Sequence, residues 1–228
     1  MINKDQLADD YNERGISYFN IGKYDKAVEE FTKAISLIKD DPDLYHNRGL
    51  AYYSMKMYPD AVRDFRKSID LSPDYADYHN AIGSVLDDMG NHNEAVKEFE
   101  TAIKLENDVP DYYYNLGNAL AKLGKKDEAL ENFSKAADLD NTDQIFIYRK
   151  FEILSEMKRY DEAISTLDNA LKLAPTNYAY MSSKAELLQK LGRYREALDE
   201  VREALKLDPD NQDLKKQEAL LVQYADNE

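Results

Sequence analysis

Three histidines are the side chains of this chain best suited to acid–base or metal chemistry, and none has the company that chemistry needs. His46 lacks a His or Glu at the helical spacing of a zinc site. His79 and His92 occupy places that tyrosine takes elsewhere along the chain, so they read as packing substitutions. No cysteine is present, which removes disulfides, thiolate metal sites and cysteine nucleophiles together and fits a reducing compartment without requiring one. Gly117 through Gly124-Lys125 has the wrong spacing for a phosphate loop, and no Ser or Thr follows the lysine. Asp138-Leu-Asp140-Asn-Thr-Asp143 lacks the turn glycine of a calcium loop, and Arg149 stands where its bidentate glutamate belongs. Asn132-Phe-Ser134 is a formal glycosylation sequon inside a predicted helix. The eighteen tyrosines fall mostly at packing places such as Tyr11, Tyr24, Tyr45, Tyr58, Tyr160 and Tyr194. No catalytic constellation, cofactor site or metal site emerges, and the chain reads as no enzyme.

The elements that carry these residues are set by a period. Ala27, Ala61, Ala95, Ala129, Ala163 and Ala197 recur every 34 residues. Gly15, Gly49, Gly83 and Gly117 keep the same beat, with Phe151 and Ala185 in the next two slots. Phe31, Phe65, Phe99, Phe133, Leu167 and Val201 follow, and Leu37 through Leu207 close the pattern. Such a period means stacked small units, each burying its apolar face against the next. The units are 8–41, 42–75, 76–109, 110–143, 144–177 and 178–211, between a short leader, Met1–Leu7, and a last helix, Asp213–Ala225. No linker interrupts them, so one solenoid domain is expected over 1–228.

Each unit holds two amphipathic stretches, with apolar residues three or four apart. Glycines at Gly22, Gly90, Gly124 and Gly192 end first helices in the left-handed conformation. Pro42 and Pro110 open first helices, Pro59 lies in the first turn of a second helix, and Pro73, Pro175 and Pro209 follow second helices. The small residues at the eighth and twentieth places let the two helices of a hairpin approach, and the aromatic at Phe31 and its equivalents is expected to fill the space against the neighbouring hairpin. Phe151 breaks the pattern, so the fifth hairpin must open, rotate or turn the ring into a gap between units.

Forty-five acidic against thirty basic residues give a formal charge of −15. Phosphate backbones and anionic membranes are disfavoured partners for such a surface. No apolar run approaches the ~18 residues of a membrane span, and the first ten residues lack the apolar core of a signal sequence. A cytoplasmic location is expected.

The period, the Gly and Ala pair, the aromatic, the second Ala at Ala34 and its equivalents, and the late proline resemble the tetratricopeptide repeat family over about nine-tenths of the chain. That resemblance implies an all-α, right-handed superhelical solenoid of antiparallel helix pairs, with a concave groove lined by first helices and a solvating helix at the end. The best-known activity of the family, a two-lysine, two-asparagine, one-arginine clamp for a C-terminal carboxylate, finds only Asn115 and Arg149 here. Asn80, Ser84 and Ile145 stand where Lys, Asn and Lys are needed.

At 100° per residue, places 2, 5, 6, 9, 12 and 13 of each first helix share one arc, which the groove would take. The peptide-binding residues expected from it are Asn12, Asp43, His46, Asn47, Asp77, Asn80, Asp111, Tyr114, Asn115, Asn118, Tyr148, Arg149 and Glu152. Ser84, Asp87, Asp88, Lys122, Glu156, Glu186 and Lys190 lie on the same strip, which is acidic and carries no base in the first three units. Asn47, Asn115 and Asn118 match places where the family holds the backbone of an extended ligand, since an amide both donates and accepts. These residues point to a scaffold for a basic or polar polypeptide, with Tyr114 and Tyr148 as apolar contacts. Two alternatives stay open: a self-assembling homo-oligomer stacked through its terminal repeats, or the repeat part of a larger enzyme.

Overall fold

The computed structural model describes residues 3–225. Among them stand thirteen α-helices and no strand. They are α1 (Lys4–Asn20), α2 (Tyr24–Leu37), α3 (Pro42–Ser54), α4 (Tyr58–Leu71), α5 (Ala76–Asp88), α6 (His92–Leu105) and α7 (Pro110–Lys122). There follow α8 (Lys126–Leu139), α9 (Gln144–Glu156), α10 (Tyr160–Leu173), α11 (Tyr178–Lys190), α12 (Tyr194–Leu207) and α13 (Gln212–Ala225). The helices form two compact units, Met1–Asn132 and Phe133–Glu228, which divide inside α8. In the first, α1 pairs with α2, α3 with α4 and α5 with α6, and α7 packs on α6. In the second, α9 pairs with α10, α11 with α12, and α13 closes on α12.

The helix ends are local chemistry. Asp41 caps α3 by accepting from the Asp43 amide at 2.9 Å, and Asn177 caps α11 by accepting from Ala179 and Tyr180. Gly22, Gly90, Gly124 and Gly192 have φ of +72°, +81°, +77° and +77°, the conformation expected of them as helix stops. The equivalent places in the second and fifth hairpins hold Lys56 and Lys158, which adopt φ of 59° and 60° despite their side chains. Helix α1 starts earlier than expected. Asn3 accepts from the Asp5 amide, and Lys4–Leu7, read as a leader, form the first turn of the helix.

The core is a series of small-on-large contacts. Phe31, Phe65, Phe99 and Phe133 are at most 1% exposed, and the alanines at the twentieth place are fully buried. A Cβ built on Gly15, Gly49 or Gly83 would lie 2.5, 2.7 and 2.7 Å from the ring of Phe31, Phe65 or Phe99. Each ring therefore lies on the glycine of its own hairpin as well as reaching the next one, as Phe31 does with Ala51. This was not foreseen: the glycine makes room for a ring more than for a backbone.

The fifth hairpin inverts the arrangement. Phe151 supplies the ring from the first helix, and Leu167 replaces the aromatic on the second. Leu167 is fully buried, whereas Phe151 is half-buried and turned into the cluster of Ile147, Leu167, Ala170 and Tyr180. The ring thus fills space shared by α9, α10 and α11. In the sixth hairpin Ala185 and Val201 share the same volume by splitting it.

Charge is built into these hairpins too. Arg14 pairs with Glu30 at 2.9 Å, Arg48 with Asp64 at 2.7 Å, and Lys184 with Glu200 at 2.6 Å, each from the seventh place to the twenty-third. Asp64 is 2% exposed and is held by both Nε and Nη2 of Arg48. The recurrence of a cation sixteen residues before an acid is the sequence signal for these pairs.

Candidate functional site

In the first unit, hydrogen bonds join neighbouring first helices at the second and third, fifth and sixth, and twelfth and thirteenth places of the repeats. Asp43, Asp77 and Asp111, at the second place of α3, α5 and α7, are all exposed. Two of them are oriented by the next hairpin. The Tyr78 hydroxyl donates to Asp43, and the Tyr112 hydroxyl donates to Asp77 at 2.5 Å. Burial first, and then these hydrogen bonds, push both phenols far above their ordinary range, so they stay donors. Each carboxylate keeps a second oxygen for another cation or donor. Phe146 stands at the equivalent place after Asp111 and has no hydroxyl to offer.

The asparagines form a second ladder. Asn47 Nδ2 donates to Asn12 Oδ1 at 3.1 Å, and Asn115 Nδ2 donates to Asn80 Oδ1 at 2.9 Å. One N–H and one acceptor of each pair are thereby used, and the remaining N–H and C=O stay half-buried along the strip. Asn118 and Tyr114 are also half-buried on α7. At the twelfth and thirteenth places, Asp87 accepts from Lys122 Nζ and lies against His92 Nδ1, both at 2.6 Å, while Tyr53 donates to Asp88 at 2.8 Å.

His46 lies deeper than the strip around it. Its ring sits between Phe65 and Tyr78, with centroids 5.4 and 5.0 Å away, and its buried Nδ1 has no hydrogen-bond partner. Burial pulls the imidazole below its ordinary pKa, opposed by Asp77 and Asp43. It is a neutral packing ring beneath the acids.

In the second unit, Tyr148 is half-buried against Tyr180 at 5.3 Å and meets Phe151 edge-on at 6.5 Å. Arg149 pairs with Glu152 at 2.6 Å and lies over the Phe133 ring at 5.0 Å. A concavity of about 370 Å³ opens between α9 and α11, lined by Phe151, Leu187, Ser155, Ser183, Glu186, Lys190 and neighbouring charges. It was not read from the sequence, although the anomaly at Phe151 marks it. Among the described residues no cluster of three or more His, Cys, Asp or Glu is arranged to hold a metal, and no helix is long and apolar enough to cross a membrane.

Family models described as TPR repeat match residues 15–56 and 83–124, and models described as tetratricopeptide repeat match 42–75, 110–143 and 154–221. A shorter stretch, 127–178, matches a model of anaphase-promoting complex subunit 5. No curated protein matches the chain. Among solved structures, pilF of Pseudomonas aeruginosa is 18% identical with a TM-score of 0.72, covering 95% of this chain and 98% of that one. MamA of Desulfovibrio magneticus RS-1 is 19% identical with a TM-score of 0.69, covering 77% and 99%. YrrB, described as a TPR protein with an unusual peptide-binding site, is 23% identical with a TM-score of 0.63, covering 88% and 100%. At these identities the likeness is one of fold.

Proposed function

The chain belongs to the tetratricopeptide repeat family, and from that premise we propose that it is a non-catalytic protein-interaction scaffold holding a basic or polar polypeptide segment along its first helices. The six repeats 8–41, 42–75, 76–109, 110–143, 144–177 and 178–211 each contribute one such helix, with 213–225 as the closing one. One observation carries the ligand's character: Asp43, Asp77 and Asp111 stand exposed at the same place of consecutive first helices, and tyrosines of the following repeats orient the first two. An oriented carboxylate with a spare oxygen suits a Lys or Arg side chain. Asn12, Asn47, Asn80, Asn115 and Asn118 would meet the ligand backbone, and Tyr114 and Tyr148 its apolar parts. Arg149 and Glu152 would add polar contacts within the second unit. YrrB's described peptide-binding site supports a peptide as the class of ligand.

The test begins with a pull-down from native lysate and mass spectrometry to recover a partner. Attraction of this kind weakens as the Debye length falls from about 10 Å at 0.1 M salt to about 3 Å at 1 M. Changing Asp43, Asp77 and Asp111 together to Asn should weaken that partner's binding and flatten its salt dependence while circular dichroism stays unchanged. Affinity insensitive to salt and to the triple change would refute the acidic strip as the recognition surface.

End-to-end self-association is a second reading, favoured by Leu220 and Tyr224 on α13, which are 41% and 46% exposed. Tyr224 stacks on Tyr194 with centroids 5.0 Å apart, making a flat aromatic step beside Leu220. Sedimentation at several concentrations separates the readings, since only self-association makes the mass rise with concentration.

A further inference from the structure

The concavity between α9 and α11 lies where the chain departs twice from the repeat. The first departure is Phe151 in the glycine slot, which gives the concavity an aromatic wall beside the buried Leu187. The second is Ser155. At the equivalent place of the third repeat stands Asp87, which accepts a hydrogen bond from Lys122 on the next first helix at 2.6 Å. Lys190 is the counterpart of Lys122, and with serine at place 155 it has no carboxylate to reach. The Lys190 ammonium is exposed and makes no ion pair among the described residues, and neither does the exposed Glu186 one turn before it. The apolar floor is therefore uncovered, and its rim carries one unpaired charge of each sign.

We infer that this concavity is an anchor pocket for a single apolar side chain, leucine-sized, of a bound peptide whose neighbouring residues carry a cation for Glu186 and an anion for Lys190. The occupant is set by complementarity: Phe151 and Leu187 offer an apolar contact to an aliphatic side chain, about 370 Å³ accommodates it with solvent to spare, and Glu186 and Lys190 at the rim select flanks of opposite sign. This deepens the scaffold role proposed above and rests on it, because the pocket lies at places 6, 8, 9, 10, 12 and 13 of the first helices.

The experiment is a titration of the full-length protein followed by amide proton–nitrogen correlation spectra. The probes are acetylated, amidated pentapeptides Gly-Lys-Leu-Glu-Gly and Gly-Lys-Ala-Glu-Gly, and the same pair with Lys and Glu exchanged. A leucine peptide should perturb amides of 149–156 and 183–190 and bind roughly tenfold tighter than its alanine counterpart, the worth of partly burying the extra methylenes. Ser155→Asp supplies the carboxylate that Lys190 lacks, closes the mouth and abolishes the leucine preference; Ser155→Ala retains it. Equal binding of leucine and alanine peptides, perturbation elsewhere, no perturbation, or a preference that survives Ser155→Asp would each overturn the pocket. The Asp43, Asp77 and Asp111 triple variant should leave the leucine response intact, so the pocket and the acidic strip fail independently.

Discussion

A carboxylate exposed on a first helix and one buried inside a hairpin answer to different physics. Asp43 keeps water on one side and a phenol on the other, whereas Asp64 survives at 2% exposure because Arg48 meets it with two N–H groups. His46 took a third course and stays neutral. Its folded pKa is lowered, so an unfolded His46 takes its proton first as pH falls through its ordinary 6.5, and the folded state loses stability below that value. Replacing it by Phe removes this component. The difference in melting temperature between His46→Phe and wild type should widen from about pH 8 to about pH 5, and a constant difference would show that the ring is solvated. The ring-on-glycine contact makes a second prediction. Gly49→Ala places a methyl 2.7 Å from Phe65 and should cost about 1–3 kcal/mol. Phe65→Val alone leaves a void costing up to about 3 kcal/mol. Together they recreate Ala185 with Val201, so the double variant should fall short of the summed losses by ~1 kcal/mol or more in denaturant unfolding. Additivity would mean that the ring does not depend on the glycine.

Helix boundaries were legible because short-range signals set them. Caps, prolines and stop glycines act through atoms a few residues away, and four of the six hairpins share the stop glycine. Lys56 and Lys158 are the instructive exceptions. Both sit in the left-handed region that the other hairpins fill with glycine, because the turn between paired helices demands that backbone whatever the side chain. Lys56→Gly should therefore stabilise the protein by up to ~1 kcal/mol, the relief of strain exceeding the entropy glycine adds to the unfolded chain. Chemical denaturation checks it, and a loss of stability would show that the lysine side chain earns its place through contacts. The early start of α1 was not legible, since Lys4–Leu7 lie outside the repeat and only the Asn3 cap marks the turn.

Over the whole molecule a charge of −15 is spread through both compact units, with only some acids paired. Self-repulsion of this size disfavours compaction and is relieved by screening. Thermal stability should rise as sodium chloride is raised from about 0.05 M to about 0.5 M, even as binding of a basic partner weakens over the same range. A melting temperature that falls with salt would mean that the paired charges, Arg48 with Asp64 foremost, outweigh the repulsion.

The sequence by itself determined the helices and their pairing, because each follows from spacing along one helix or from the 34-residue repeat. Tyr78 to Asp43, Asn47 to Asn12 and Arg48 to Asp64 were decided only by the tertiary structure. Those contacts join residues 35 or 16 apart, and which donor reaches which acceptor depends on how one helix leans on its neighbour. The same holds for Phe151. Its size announced a departure, but where the ring would pack was decided by Leu167 and Ala170 on α10 and Tyr180 on α11, which the repeat pattern does not bring together on paper.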